Sequence, residues 1–142
     1  GVKVIEFNAR FGDPETEVVL PLLESDAYDV FYGIATGQLA IGDGQLAWRN
    51  EATIGVVLAS KGYPGDYAKG AVIEGVELFD GPVFHMGTKN DNGVLKTNGG
   101  RVMMCIATGK DIAEAQAKVY KEIEKIHCDN LFYRKDIAHW AL

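Results

Sequence analysis

Residues 83–108 read VFHMGTKNDNGVLKTNGGRVMMCIAT, and the punctuation of this stretch decides the fold. Three apolar runs of strand length, Val83 to Met86, Val94 to Thr97 and Arg101 to Thr108, are separated by Asn90-Asp91-Asn92-Gly93 and Asn98-Gly99-Gly100. Asn-Gly pairs reach the positive φ angles that tight hairpin turns demand, so the sheet is expected to be largely antiparallel. Upstream, Thr53 to Ser60 is a β-branched apolar run, Val72 to Leu78 is a strand broken by Gly75, and Asp80-Gly81-Pro82 is another turn. Downstream comes one strong helix. Asp111 and Glu114 fit a capping box, and Ile112, Ala115, Val119, Ile123 and Ile126 form an apolar stripe spaced by three or four. Its other face carries Lys118, Lys121, Glu122 and Lys125 and reads as solvated surface. The tail from Leu131 to Leu142 mixes aromatic and charged residues and is expected to pack back on the sheet.

The first 44 residues have a different texture. Ile5, Phe7, Ala9 and Phe11 alternate with Glu6, Asn8 and Arg10, so Val2 to Phe11 reads as a half-buried strand. Gly12-Asp13-Pro14-Glu15 then breaks it and opens a helix, with Asp13 as N-cap and Pro14 in the first helical position. That helix carries Val18, Val19, Leu22 and Leu23, and Pro21 bends it or ends its first section. A second helix from about Ala27 to Thr36 closes on Gly37. Gly37 to Gly44 is rich in small residues and marks the boundary between residues 1–44 and 45–142.

Composition narrows the function classes. The chain has 142 residues, 14 basic and 20 acidic side chains and a net charge of −6, a poor balance for displacing counterions from nucleic acid. No run approaches the ~20 apolar residues of a membrane span, so neither nucleic acid nor membrane is expected as a partner. Cys105 and Cys128 make neither a metal pattern nor a disulfide framework, which fits a cytoplasmic protein. His85, His127 and His139 share no ligand spacing, and structural roles are expected for them.

One polar face can carry chemistry. Glu6, Asn8 and Arg10 stand on one side of the expected strand, about 7 Å between successive same-face residues. A carboxylate and an amide oxygen are hard ligands suited to Mg²⁺, and a guanidinium can hold a phosphate or carboxylate. From spacing alone the same three residues read first as a solvated strand face, because E-x-N-x-R is short and degenerate. Gly12 to Glu15 likewise offers either an anion site at a helix start or plain helix capping. The loop Lys61 to Gly70 fits neither a phosphate-loop nor a dinucleotide pattern and reads as a surface loop held by Tyr63 and Tyr67. Asn98-Gly99-Gly100-Arg101 reads first as a hairpin turn, and second as an arginine aimed at a ligand.

The run Val4-Ile5-Glu6-Phe7-Asn8-Ala9-Arg10-Phe11-Gly12-Asp13-Pro14-Glu15-Thr16 resembles the signature of the phosphoribosylamine–glycine ligase family, glycinamide ribonucleotide synthetases of the ATP-grasp superfamily. Four further blocks are similar to that family, in its order: Val56 to Tyr67, Val83 to Thr88, Thr97 to Val102 and Tyr133 to Ile137. The family usually has glutamine after P-E-T, where this chain has Glu17. The resemblance implies an α+β chain: the end of an ATP-grasp core (residues 1–44), then a mainly antiparallel C-terminal domain with one long packed helix (residues 45–142). It implies ATP-dependent ligation of glycine to 5-phosphoribosylamine through glycyl phosphate, in purine biosynthesis. By the same resemblance, Glu6 and Asn8 would ligate Mg²⁺ (or Mn²⁺) bridging the ATP phosphates. Arg10 would stabilise charge at the reacting centre, and Gly12 and Asp13 would shape a substrate pocket. The family's glycine-rich lid, adenine pocket and other magnesium carboxylate lie upstream of its signature, so these 142 residues alone are expected to be inactive and to bind Mg²⁺ poorly. The alternative is a non-catalytic module that holds a phosphorylated small molecule or a catalytic partner.

Overall fold

The computed structural model describes residues 1–7, 9–38 and 46–142. It divides into two compact units, Gly1–Trp48 and Arg49–Leu142.

The second unit is built on one long antiparallel pair. Strand β1, Ala52–Ser60, runs against β5, Arg101–Gly109, from Ala52 opposite Gly109 to Leu58 opposite Met103. The register then shifts, with Ala59 opposite Arg101, so that Val102 is passed over. β2, Val83–His85, adds to the outer side of β5, and β6, Leu131–Phe132, to the outer side of β1, giving the order β2-β5-β1-β6. Alternation places Ile54, Val56 and Leu58 of β1 beside Ala107, Cys105 and Met103 of β5 in the core. Helix α3, Ile112–Ile123, covers that face with Ala115, Val119 and Ile123. Met104 and Ile106, pointing the other way along β5, are buried as well, so the central strand reads as an unbroken apolar run.

Helix α3 begins where the capping chemistry puts it. The Glu114 N–H donates to Asp111 Oδ1 at 2.8 Å, while the Glu114 carboxylate accepts from the Lys110 N–H at 2.9 Å and pairs with Lys118 at 2.8 Å. At the other end the Glu122 carboxylate accepts from the Asp80 N–H and pairs with Lys125, whose Nζ also donates to the Leu78 carbonyl. The tail packs on the helix. Tyr120 Oη donates to the Arg134 carbonyl and accepts from the Ile137 N–H, and Gln116 Nε2 donates to the Ile137 carbonyl.

Strands β3, Thr88–Asp91, and β4, Val94–Thr97, form a hairpin at the expected turn, but its first arm is Thr88–Asp91 and not the run from Val83, which pairs with β5. Its turn residues, Asn92 and Gly93, both have positive φ (52° and 88°), as a type I′ turn requires. Asn98-Gly99-Gly100 is not a hairpin turn: the ladder partner of β4 is β3 and not β5, and these residues carry the chain from the two-stranded sheet to β5. The expected strand from Val72 to Leu78 is reduced to two isolated bridges, Val72 to Lys96 and Glu74 to His127, followed by a 3-10 turn at Val76–Leu78. Gly75 sits between them at φ 78°, and a Cβ there would collide with the Lys125 carbonyl oxygen, so ladder geometry stops at this residue.

The first unit departs further from expectation. Residues 1–7 belong to no ladder and are exposed throughout, with Ile5 98% and Phe7 87% accessible, and residues 9–11 are likewise unpaired. A strand exists only through hydrogen bonds to a neighbour, and none of the described residues supplies that neighbour. Helix α1 is short, Thr16–Val19, and starts later than Pro14. A turn over residues 13–15 precedes it, closed when the Thr16 N–H donates to the Gly12 carbonyl at 3.0 Å; Glu15 rather than Asp13 is at the cap position and makes no side-chain cap. At Pro21 the helix gives way to a 3-10 turn, Leu20–Leu22. Helix α2, Ala27–Thr36, matches its sequence signals, with Asp26 Oδ1 accepting from the Tyr28 and Asp29 N–H groups and Gly37 closing it at φ 68°. Most of the expected boundary lies in residues 39–45, outside the described residues.

Leu58 is fully buried between β5 and α3. Leu58→Ala is therefore expected to cost about 2–5 kcal/mol, read as a lower denaturation midpoint with unchanged slope. Hydrogen-bonded partners hold the Glu114 carboxyl (Lys118 first, then the Lys110 amide), Glu122 (Lys125, then the Asp80 amide) and Asp136 (Arg134) below the ordinary carboxylate range. A lowered folded-state pKa stabilises above the unfolded value, so stability should fall as the pH drops through and below the ordinary carboxylate range. A proton-uptake measurement on acid unfolding checks the sign.

Candidate functional site

The residues expected to carry chemistry lie in the first unit. Glu6 is exposed in the segment before α1; Asn8 lies outside the described residues. Arg10 is exposed and uses one guanidinium N–H on the Phe11 carbonyl, at 2.7 Å. Arginine has five such donors, and Arg10 engages no carboxylate among the described residues. The Gly12 carbonyl accepts both the N–H and the hydroxyl of Thr16. Glu15 lies against the face of Gly12 where a side chain would project, so its carboxylate occupies the space a Cβ would take. Asp13 is exposed. The structure therefore gathers Gly12, Asp13 and Glu15 into one turn ahead of α1 and leaves Glu6 outside it. The hydrogen bonds over Gly12 to Thr16 show a turn and a helix start without a side-chain cap. Among the described residues, no three His, Cys, Asp or Glu side chains group as a metal site.

The second unit holds a cluster that the spacing of its residues in sequence did not reveal. Three separated stretches meet where β1 ends and β5 begins. The Ser60 N–H donates to the Gly100 carbonyl at 2.7 Å and its hydroxyl to the Gly99 carbonyl at 2.8 Å, and Ser60 is completely buried. The Asn98 N–H donates to the Gly87 carbonyl at 2.7 Å. A Cβ on Gly87 would lie 2.8 Å from the Gly99 Cα and 2.5 Å from the Arg101 carbonyl oxygen, so two backbones touch where only glycine fits. A Cβ on Gly100 would run into the Tyr63 ring, which meets Tyr67 edge-on at 6.3 Å. The loop from Lys61 is thus a packed surface loop held by Tyr63 and Tyr67, as expected. The signal available in sequence was the recurrence of glycine in all three stretches, Gly62 and Gly65, Gly87, and Gly99-Gly100.

The remaining nucleophiles and imidazoles have structural surroundings. Burial pushes the Cys105 thiol up to about 12, which removes it as a thiolate nucleophile at neutral pH. His85 Nδ1 lies 3.0 Å from the Thr88 hydroxyl, and His127 bridges to Glu74 just past α3.

The family model for the phosphoribosylglycinamide synthetase C domain matches residues 53–140. The chain belongs to this family. It is 52% identical over 144 aligned residues to a phosphoribosylamine–glycine ligase of Halalkalibacterium halodurans, and 47% identical over 143 to one of Pseudomonas aeruginosa. These alignments take in 100% and 99% of this chain but 33% of each relative, so the chain spans about a third of their length. The crystal structure of a phosphoribosylamine–glycine ligase from Thermotoga maritima superposes with a TM-score of 0.77 at 37% identity, over 95% of this chain and 33% of that one. The α+β class with its antiparallel sheet and one longer packed helix is therefore that of the family's C domain. No helix among the described residues is long and apolar enough to cross a membrane.

In the native protein Cys105 is expected to resist a thiol reagent at about pH 8, with half-buried Cys128 reacting first; denaturant should release the second equivalent. Stoichiometric thiol titration with and without denaturant checks this.

Proposed function

We propose that the chain is the C-terminal third of an ATP-dependent phosphoribosylamine–glycine ligase, a cytoplasmic enzyme of purine biosynthesis, with residues 1–44 ending its ATP-grasp domain and 45–142 forming its C-terminal domain. The observation that carries this reading is similarity to such ligases along the whole chain, at 52% identity for the relative from H. halodurans. In the proposed reaction a glycine carboxylate oxygen attacks the γ-phosphorus of ATP and ADP leaves. The phosphoribosylamine nitrogen then attacks the acyl carbon of glycyl phosphate, phosphate leaves, and the nitrogen loses a proton to give the amide.

Each candidate residue has a chemical part in that scheme. Arg10 carries a permanent positive charge with donors to spare, suited to the negative charge that builds on the transferring phosphoryl and acyl groups. Gly12 and Asp13 line the glycine or phosphoribosyl pocket, held in place by the turn that Thr16 closes. Glu6 and Asn8 offer hard oxygens for Mg²⁺ or Mn²⁺. Two such ligands fall short of a magnesium site. They serve one only together with nucleotide phosphates and ligands from the rest of the enzyme. The bound metal supplies charge neutralisation at the phosphates.

The test is a chimaera in which this chain replaces the corresponding third of the H. halodurans ligase. It should release ADP in a manner dependent on glycine and phosphoribosylamine, whereas the 142 residues alone should release none. Arg10→Ala in the chimaera should lower kcat about 10²–10³-fold with a smaller change in KM, as expected for a charge that acts mainly in the transition state. A chimaera that folds but lacks ligase activity would overturn the reading.

A further inference from the structure

β2 covers only part of the outer edge of β5. Its ladder ends at Val83 opposite Cys105, and one residue on the Ile106 N–H donates to the Pro82 carbonyl at 3.0 Å. Strand alternation turns the N–H and C=O of Thr108 the same way, past the end of β2. The Thr108 carbonyl accepts from Lys118 Nζ at 3.3 Å. Along this open edge lies a cavity of about 440 Å³, lined among others by Asp80, Pro82, Thr108 and, from α3, Lys118, Lys121 and Glu122. That volume falls within the range of small-molecule sites. The turn that walls it is fixed in place. The Asp80 N–H donates to Glu122 at 2.8 Å, and Phe79 before it is buried in the core. A Cβ on Gly81 would lie 2.6 Å from the Ile106 carbonyl oxygen, so the turn presses directly on β5.

The cavity carries two charges of each sign, and they differ in what they already hold. Glu122 is engaged by Lys125 and the Asp80 N–H, and Lys118 by Glu114 and the Thr108 carbonyl. The Lys121 ammonium and the Asp80 carboxylate make no ion pair or hydrogen bond among the described residues; Asp80 acts on Lys118, and Lys121 on Glu122, only through space. A simple anion drawn to Lys121 meets Asp80 and Glu122, and a simple cation drawn to Asp80 meets the two lysines. A ligand that bears both charges complements both. Pro82 and Ala107 add apolar wall. The geometry points to a binding site for a free α-amino acid with an apolar side chain. Its carboxylate is held by Lys121 Nζ and the outward Thr108 N–H, its ammonium by Asp80, and its side chain lies against Pro82. None of these residues has a part in the ligase reaction proposed above, so the site and that reading stand or fall separately.

The experiment titrates the isotope-labelled 142-residue chain with L-leucine and follows its backbone amide signals. Two matched probes are run beside it, 4-methylpentanoate, which lacks the ammonium, and isopentylamine, which lacks the carboxylate. L-leucine should shift the Gly81, Thr108 and Lys121 signals saturably, with half-saturation about tenfold below that of either single-charge probe, since each lost group forfeits a charge-assisted hydrogen bond. Asp80→Asn and Lys121→Gln should each weaken L-leucine binding about tenfold. Neither side chain is bonded in the free protein, so the thermal midpoint of each variant should stay where it is. If Lys121→Gln nonetheless lowers the midpoint, Asp80→Asn and the single-charge probes still decide the matter. Absence of saturable shifts at millimolar L-leucine, or shifts confined to residues away from the cavity, would overturn the assignment. So would a single-charge probe that binds as tightly as L-leucine, or a folded variant that binds it like the unaltered chain.

Discussion

Val56 and Cys105 face each other across β1 and β5, both without solvent contact, and the second unit depends on that pairing. The register around it sets every other layer. It turns Ile54, Leu58, Met103 and Ala107 toward the same side, which creates the apolar surface that Ala115, Val119 and Ile123 cover. A slip of one residue would send this whole set to the other face of the sheet. β2 and β6 are then added to edges whose positions are already determined. The shift that passes over Val102 ends the regular ladder just where Ser60 turns its N–H and hydroxyl to the carbonyls of Gly100 and Gly99.

The two units satisfy their backbones in different ways. In the second, strands, caps and tail are joined to one another, down to Tyr120, whose single hydroxyl serves two backbone groups of the tail. The first has well-made helix ends at Asp26 and Gly37 but an apolar segment with nothing to pair with among the described residues. The candidate ligands and the arginine stand on or next to that segment. Glu6, Asn8 and Arg10, for which chemistry is proposed, belong to the first unit, whereas the second unit joins Ser60, Gly87 and Gly100 through close backbone contacts.

Much of this was legible in sequence where the determining interaction is local. The α3 stripe, its Asp111 cap, the Gly37 stop and the Asn92-Gly93 turn each depend on residues within a few positions of one another, and each appears where the pattern places it. Features set by distant partners were not readable in that way. Asn98-Gly99-Gly100 has hairpin composition, yet it crosses between sheets because Gly87, on the far side of the β3–β4 hairpin in sequence, approaches Gly99 backbone to backbone. Val72 to Leu78 has strand composition, but the chain passing Lys125 and His127 meets it at single bridges. Ile5, Phe7 and Phe11 alternate like a buried strand because alternation records a preference for pairing and cannot supply the pair. The candidate site was readable only as a list of residue types, since what would gather Glu6 and Asn8 around a cation is not encoded within these few positions.

The hairpin of β3 and β4 and the pair of β1 and β5 also differ in the length of chain that each must close. The hairpin needs a two-residue turn, whereas Ala52 must find Gly109 with the whole hairpin and the Lys61 loop between them. Loop closure is an entropic cost that precedes the reward of non-local contacts, and it slows folding as contacts lengthen. Contact length thus favours the two-stranded sheet forming ahead of the long β1–β5 pair. On a ribosome, which releases β1 long before β5, the apolar face of β1 waits uncovered until the loop, the hairpin and β5 itself have all emerged.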